Sequence, residues 1–419
     1  MAPTPDVLRR VRRVSLAGGT VALLALAGAR PATAQVAAPA PGGLTIRLTV
    51  PESTPAAATV YVAGSFNNWN PAAEGYRLAR EGDVCTITLP DSIRGSLEFK
   101  FTLGSWESVE LSASGGDVPN RTFTVPPAGA ITWTGTVAAW RTGPAAPRPH
   151  TATASVSVLS DSFGVPQLGR ARRVWLYLPP GYVASHRRYP VLYLQDGQNV
   201  FDAATSFSGE WGVDETLDSL HAAGDPGVIV VAVDNGREHR MDEYQPWPAA
   251  NRNIGGGEGS AYVDFLVHTL KPYVDAHYRT RPDRANTGVG GSSLGGLISF
   301  YATLEYPDVF GRALVFSTPF FLHPQLLAMA RAAHPRQPPT RFYFDTGLTE
   351  GVSSAGIPER AMARSQEAVV DSLAAAGIDT AHDVRALLPP DGAHAEWFWR
   401  REFPAAYRWL FAPAGRGPR

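Results

Sequence analysis

A serine hydroxyl attacks a carbonyl only when a base takes its proton and the chain holds it clear of its own backbone. The segment Gly290-Gly291-Ser292-Ser293-Leu294-Gly295-Gly296 meets the second condition. Only Ser293 has glycine at both −2 and +2, which gives the G-x-S-x-G form of a strained strand-to-helix turn. Gly291 and Gly295 leave room for that turn and for close approach of strand and helix, so the Ser293 side chain can stand exposed. The chemistry this predicts is nucleophilic attack with a covalent acyl intermediate.

Ten histidines could serve as the base. His394 is best placed, because it follows the last strand-like run and lies downstream of both Ser293 and a candidate acid, in the order Ser…Asp/Glu…His. His323, just past the sixth strand, and His382, before the last, are less suited. Glu350, in the loop after the seventh strand, is the favoured acid. Asp345, closer to the strand end, is the alternative, with backbone hydrogen bonding in a turn as its other use. The developing oxyanion needs two N–H donors. Leu294, the residue after the nucleophile, supplies one, and Gln198 or its neighbour Asn199 supplies the other. Trp211, Tyr244 and Trp247 are candidate walls of an acyl or sugar pocket, with core packing as the competing use. The glycine run 255–259 lacks a following Lys-Ser/Thr and a preceding strand, so it reads as entry to a helix and not as a phosphate loop. No spacing of Cys, His, Asp and Glu suggests zinc, and the chemistry calls for no cofactor and no metal.

These residues need a scaffold that presents strand ends. Strand-like runs at Ala154–Leu159, Val174–Leu178, Val191–Gln195, Val228–Val233, Ala285–Val289, Ala313–Phe316, Arg341–Asp345 and Val384–Leu388 alternate, from Val191 on, with helical stretches. The clearest helices are Val213–Ala222, Ser260–His277, Leu294–Glu305, Pro358–Ala376 and Ala395–Leu410. That alternation predicts an α/β domain over 152–413, a doubly wound and mostly parallel sheet covered on both faces. Its first two strands should form an antiparallel edge hairpin.

Residues 44–140 have a different grammar. Short runs of period two, such as Leu44–Val50, Val84–Leu89 and Leu97–Thr102, predict an antiparallel, immunoglobulin-like β-sandwich. Residues 141–151, with Pro144, Pro147 and Pro149, read as a linker, and 35–43 as an Ala/Pro-rich spacer. Residues 1–34 read as an export signal: Arg9, Arg10, Arg12 and Arg13, a short apolar stretch, then Ala32-Thr33-Ala34 as a cleavage site. Export to the periplasm or outside the cell follows as an expectation. The stretch is too short for a stable membrane span. A net charge of −1 with no dense basic run past the N-terminus argues against nucleic acid as a partner. Cys85 is the only cysteine, so no intrachain disulfide can form, and its alternating apolar run predicts a buried side chain.

With these residues placed, the second half resembles the esterase D family of α/β-hydrolases. The likeness rests on Tyr193–Phe201, Leu270–Tyr278, Gly290–Gly296, Tyr306–Phe310, Asp345–Glu350 and His394 with Glu396-Trp397. It implies a triad of Ser293, Glu350 and His394. Many members carry G-T-x-[DE] around the acid, whereas this chain has Gly347-Leu348-Thr349-Glu350, which keeps Asp345 as the alternative. The first domain is similar to glycogen- and starch-binding modules through Val60–Pro71 and Phe99–Trp106. That similarity implies Trp69, Lys100, Trp106 and Asn120 as sugar-binding residues. The expected function is an exported serine carboxylesterase, acting on acetyl or feruloyl esters of polysaccharides. The alternatives are a siderophore trilactone esterase, an acyltransferase of the mycolyltransferase type, and a non-catalytic glycan-binding protein.

Overall fold

The computed structural model of the chain describes residues 43–411, apart from 65, 68, 117, 119, 127, 144–147, 208, 249–254, 349 and 351–359. The signal reading and nearly all of the spacer reading fall outside the described residues.

Nine short strands build the first region: β1 (Leu44–Thr49), β2 (Tyr61–Gly64), β3 (Ala79–Glu81), β4 (Val84–Thr88), β5 (Gly95–Thr102), β6 (Glu110–Leu111), β7 (Arg121–Val125), β8 (Ile131–Thr136) and β9 (Ala139–Trp140). They form sheets of order β3-β4-β1-β8 and β2-β5-β7, with β6 and β9 as a separate pair. Alternate residues turn inward, so Leu44, Ile46, Leu48, Val62, Phe99 and Phe101 share one core. Cys85 is fully buried in it as a free thiol, as its apolar setting predicts. The expected all-antiparallel pairing needs one correction. β8 runs parallel to β1, because the chain crosses to it from β7 in the other sheet and enters from the same end as β1.

Eight further strands make one sheet: β10 (Val156–Val165), β11 (Arg170–Tyr177), β12 (Val191–Leu194), β13 (Ile229–Val233), β14 (Thr287–Ser292), β15 (Arg312–Phe316), β16 (Arg341–Asp345) and β17 (Val384–Leu387). Their order is β10-β11-β13-β12-β14-β15-β16-β17. β10 and β11 form an antiparallel hairpin at one edge, and β12 to β17 are mutually parallel. Every residue of β12, β13 and β15 is buried, as a sheet covered on both faces requires. Alternation then feeds two cores: Val191 and Tyr193 join one, Leu192 and Leu194 the other. This is an α/β-hydrolase architecture.

Helices α1 (Val213–Ala222), α2 (Arg240–Glu243), α3 (Gly259–Phe265), α4 (Lys271–His277), α5 (Leu294–Glu305), α6 (Gln325–Arg331), α7 (Ala361–Ala375) and α8 (Glu396–Phe411) complete the fold. α1 and α5 have the boundaries the sequence predicts. The expected single helix over Ser260–His277 contains a π-helical turn at Leu266–Leu270, just before Pro272. A proline has no N–H to continue the regular ladder, and a π-turn is one way to pass it. Among the described residues no helix is long and apolar enough to cross a membrane.

Neighbouring strands β12 and β14 feed connections that go to opposite sides of the sheet, since β13 lies beyond one and β15 beyond the other. A crevice opens beyond the carboxyl ends of two such strands. The loops that leave there carry Gln198 and Ser293.

Candidate active site

Ser293 joins β14 to α5 with φ +56° and ψ −127°, a conformation that a residue with a side chain rarely adopts. Such strain persists where the surroundings enforce it, and here glycines do so. A Cβ on Gly291 would lie 2.8 Å from the carbonyl carbon of Gly295, and one on Gly290 would lie 2.6 Å from Leu314 Cβ. Strand and helix therefore meet backbone to backbone. The Ser293 N–H donates to Phe316 O (2.9 Å), which ties the turn to β15. Leu294 opens the helix, so its N–H belongs to the first turn, whose donors have no intrahelical acceptor. The positive end of a twelve-residue helix also lies there.

His394 lies between β17 and α8. Its Nδ1 is 2.5 Å from Glu350 Oε1. A carboxylate only accepts, so Nδ1 carries the proton and Nε2 is left to act as a base. Glu350 is 5% exposed and is itself held in place. Its Oε2 accepts from Ser317 Oγ (2.9 Å) and from the Gly347 N–H (2.9 Å). Trp399 Nε1 donates to Ser317 Oγ (2.9 Å), and the Trp399 ring meets the His394 ring edge-on with centroids 5.3 Å apart. The histidine is thus clamped from two directions. Asp345 does not take this part. It is fully buried, burial and the nearby Glu402 charge push its pKa up to about 8, and Nδ1 of His394 is bonded to Glu350.

Burial pulls the pKa of His394 down, but the hydrogen bond and charge of Glu350, aided by Glu396 and Glu98, outweigh it, and the net shift is upward from 6.5. A histidine that acts as a general base must be neutral. The acid limb of kcat/KM should therefore have its midpoint above pH 6.5, and Glu350→Gln should move that midpoint down. A midpoint unmoved by this substitution would contradict the pairing. The stability contribution has the opposite sign. A raised folded-state pKa makes the pair stabilising below pH 6.5, and that part is lost as pH rises through the folded value.

The second half of the crevice is built around Asp196, which sits at φ +54°, ψ +48° between β12 and the short turn Gly197–Asn199. Three groups hold it. Arg240 grips it with Nε on Oδ1 (2.7 Å) and Nη2 on Oδ2 (2.8 Å), Asn235 Nδ2 donates to Oδ1 (2.6 Å), and its own N–H donates to Tyr244 Oη (3.1 Å). A Cβ on Gly197 would lie 2.8 Å from the backbone of Val233, so the turn packs directly on β13. Gln198 is fixed as well: its side-chain oxygen accepts the Asn235 N–H (3.2 Å) and its carbonyl accepts Thr205 Oγ1 (2.8 Å). A rigid loop suits a donor that must not reorganise during reaction.

Arg240 has no local sequence signal. It lies 44 residues from Asp196, and only the packing of the four-residue α2 brings the pair together. Ser317 and Trp399 are legible only after the fold is known. Two expected pocket walls are corrected. Tyr244 is fully buried beneath the Asp196 loop, and Trp211, 5% exposed, stacks on Phe316 and packs on Trp399 inside the core. Trp247 is half-buried against Tyr301 and His323. His323 is buried, and burial lowers its pKa from 6.5. Its neutral form stabilises the fold at neutral pH, and that contribution should be lost as pH falls through the lowered value. Thermal melts from pH 7 to 4 should therefore show less acid loss in His323→Gln than in the parent chain. Equal losses would contradict this.

In the first region Trp69 and Trp106 are half-buried with ring centroids 6.3 Å apart. Lys100 Nζ donates to Val118 O, and the exposed Asn120 donates to Glu98 Oε2 (3.1 Å). Among the described residues no group of His, Cys, Asp and Glu could hold a metal ion.

Comparison with known proteins identifies the family of the second region. The Bacillus subtilis protein YbbA is 26% identical over 244 residues, covering 57% of this chain and 92% of YbbA. An alpha-amylase of Niallia circulans is 46% identical over 104 residues, 25% of this chain and 8% of the amylase. An endo-1,4-beta-xylanase/feruloyl esterase of Xylanibacter ruminicola is 28% identical over 149 residues, 34% of this chain and 19% of that protein. Residues 166–410, more than half of the chain, match the family described as "Putative esterase". The protein therefore belongs to that esterase family and is an α/β-hydrolase acting on ester bonds.

Proposed function

We propose that this protein is an exported serine carboxylesterase that releases acyl groups, such as acetyl or feruloyl, from a polysaccharide. Ser293 Oγ attacks the ester carbonyl while His394 Nε2 takes its proton. The N–H groups of Leu294 and Gln198 hold the tetrahedral oxyanion. His394 then gives the proton to the leaving alcohol, and water, activated by the same imidazole, releases the acid and frees Ser293. Glu350 orients His394 and stabilises its charged form.

The observation that carries the reading is the 2.5 Å bond from His394 Nδ1 to Glu350 Oε1, in a chain whose Ser293 is held at a strained strand-to-helix turn. The polysaccharide part draws support from the glycan-module likeness of residues 44–140. It draws support too from relatives named as an alpha-amylase and as an endo-1,4-beta-xylanase/feruloyl esterase. Export draws on the basic and apolar residues before Gln35.

The test is product analysis on acetylated xylan and methyl ferulate, with and without a free sugar acceptor. Hydrolysis gives one free acid per ester cleaved whether or not acceptor is added. Acylated acceptor as the main product would replace this reading with acyl transfer.

A further inference from the structure

A carboxylate taken out of water needs donors for its oxygens, and those donors fix where it sits. Asp202 is 4% exposed. Its Oδ2 accepts from His150 Nδ1 (2.7 Å), and its Oδ1 accepts from the N–H groups of Thr151 (3.1 Å) and Ala204 (2.9 Å). Burial pushes its pKa up, but these bonds outweigh burial and the net shift is downward from 3.8, so the group is ionised at neutral pH. Two of the donors belong to 141–151, the stretch that the sequence reads as a linker. The end of that stretch is bonded into the hydrolase.

Thr151 is its closest junction. Its Oγ1 donates to Glu210 Oε2 (2.6 Å) and accepts from the Ala203 N–H (2.8 Å). Nearby, Arg148 Nη1 donates to Ser206 O (2.9 Å). The segment gripped in this way holds the Gly197–Asn199 turn in its own grip. Thr205 Oγ1 donates to Gln198 O (2.8 Å), the Phe207 N–H donates to Asn199 Oδ1 (2.9 Å), and the Trp211 N–H donates to Asn199 O (2.9 Å). Glu210 carries the link to the other half of the site. Its Oε1 accepts from Arg400 Nη1 (3.1 Å) on α8, the helix that begins two residues after His394.

We propose that residues 148–151 are a strap that positions the oxyanion donor, with Thr151 as the central positioning residue. This rests on the reading of the Gln198 N–H as that donor. A turn of three residues has too few bonds of its own to fix its direction, so the segment bonded to it must do so. From Thr151 that path is short: the strap holds Asp202 and Ala203, and Thr205 holds the Gln198 carbonyl. An oxyanion donor works by being aimed before the reaction, and loosening it costs the transition state more than the bound substrate. Ser155 provides the contrast. Its Oγ donates to Asp218 Oδ1 (2.9 Å) on α1, which fastens the same connection to a helix and not to this loop.

The test compares Thr151→Val, which keeps the shape and removes the hydroxyl, with Thr151→Ser, which restores it, and with Ser155→Ala. Each full-length variant is assayed on p-nitrophenyl acetate and against a trifluoromethyl ketone, which Ser293 converts to a tetrahedral adduct with its oxygen in the oxyanion site. Thermal melting checks the fold. Thr151→Val should lose about tenfold or more in kcat/KM, the Ki of the ketone should rise by the same factor, and Thr151→Ser should return both to within about threefold of the parent enzyme. Ser155→Ala should leave both unchanged. Full kcat/KM in Thr151→Val, a loss without the matching rise in Ki, or an equal loss in Ser155→Ala would overturn the strap. Should Thr151→Val fail to fold, His150→Ala decides on the same two readouts, since its side chain is 81% exposed and its loss spares the core. A matched change of about threefold is expected there, and no change overturns the proposal. Failure of the underlying reading looks different: the parent enzyme would neither hydrolyse the ester nor bind the ketone.

Discussion

Ser293→Ala should lower kcat on a p-nitrophenyl ester by about 10⁴-fold or more, with the fold retained. The size follows from the role: without Oγ no acyl-enzyme forms, and what remains is the modest rate help of an oxyanion site and substrate binding. The stability expectation follows from the surroundings. The turn at φ +56° is enforced by close contacts of Gly290, Gly291 and Gly295 with their neighbours, and the Ser293 hydroxyl takes no part in them. Its loss should change stability by less than about 1 kcal/mol. Circular dichroism and urea unfolding check the fold, and steady-state kinetics the rate. Turnover within tenfold of the parent enzyme would remove Ser293 from the nucleophile's place.

Arg240→Ala should damage both fold and rate. Asp196 is 8% exposed and accepts two bonds from this guanidinium, so truncation leaves a largely buried carboxylate with only Asn235 and the backbone near it. Removing one partner of a buried pair costs about 3–5 kcal/mol, and the partial exposure of Arg240 brings the expectation to about 2–4 kcal/mol. The same change frees the loop that aims the Gln198 N–H, and a misplaced oxyanion donor costs about 10²-fold in kcat. Arg240→Lys restores the charge without the two-point fork, so it should recover stability more than rate. Urea unfolding alongside kcat tests both halves. Full activity in Arg240→Ala would show that the Asp196 loop does not depend on the clamp.

The fold was legible where periodicity was strong and local. α1 and α5 have the predicted ends because their apolar spacing and the breakers beside them, Gly212 and Gly224 around α1 and Gly291 and Pro307 around α5, mark them to within about a turn. The parallel pairing of β1 with β8 was not, because direction in a sheet depends on the path of the intervening chain, which local alternation does not encode. The site divides in the same way. Ser293, Glu350 and His394 follow strands in a recognisable order, so their neighbourhood could be read from one dimension. Arg240, Ser317 and Trp399 act through contacts with residues 33 to 82 positions away, and their types are common in any structural role. Tyr244 and Trp211 erred in the other direction: aromatic residues near a mouth in sequence are more often core, and these two lie beneath the loops and not in the crevice.

The proposed function turns on Ser293 as the nucleophile, activated by His394. The most direct measurement is peptide mass spectrometry of the protein after treatment with a fluorophosphonate, in the parent chain and in His394→Ala. One phosphonyl adduct is expected, on Ser293, formed at least about a hundredfold more slowly when His394 is replaced. An adduct on another residue, or ester hydrolysis that continues with Ser293 unmodified, would contradict it.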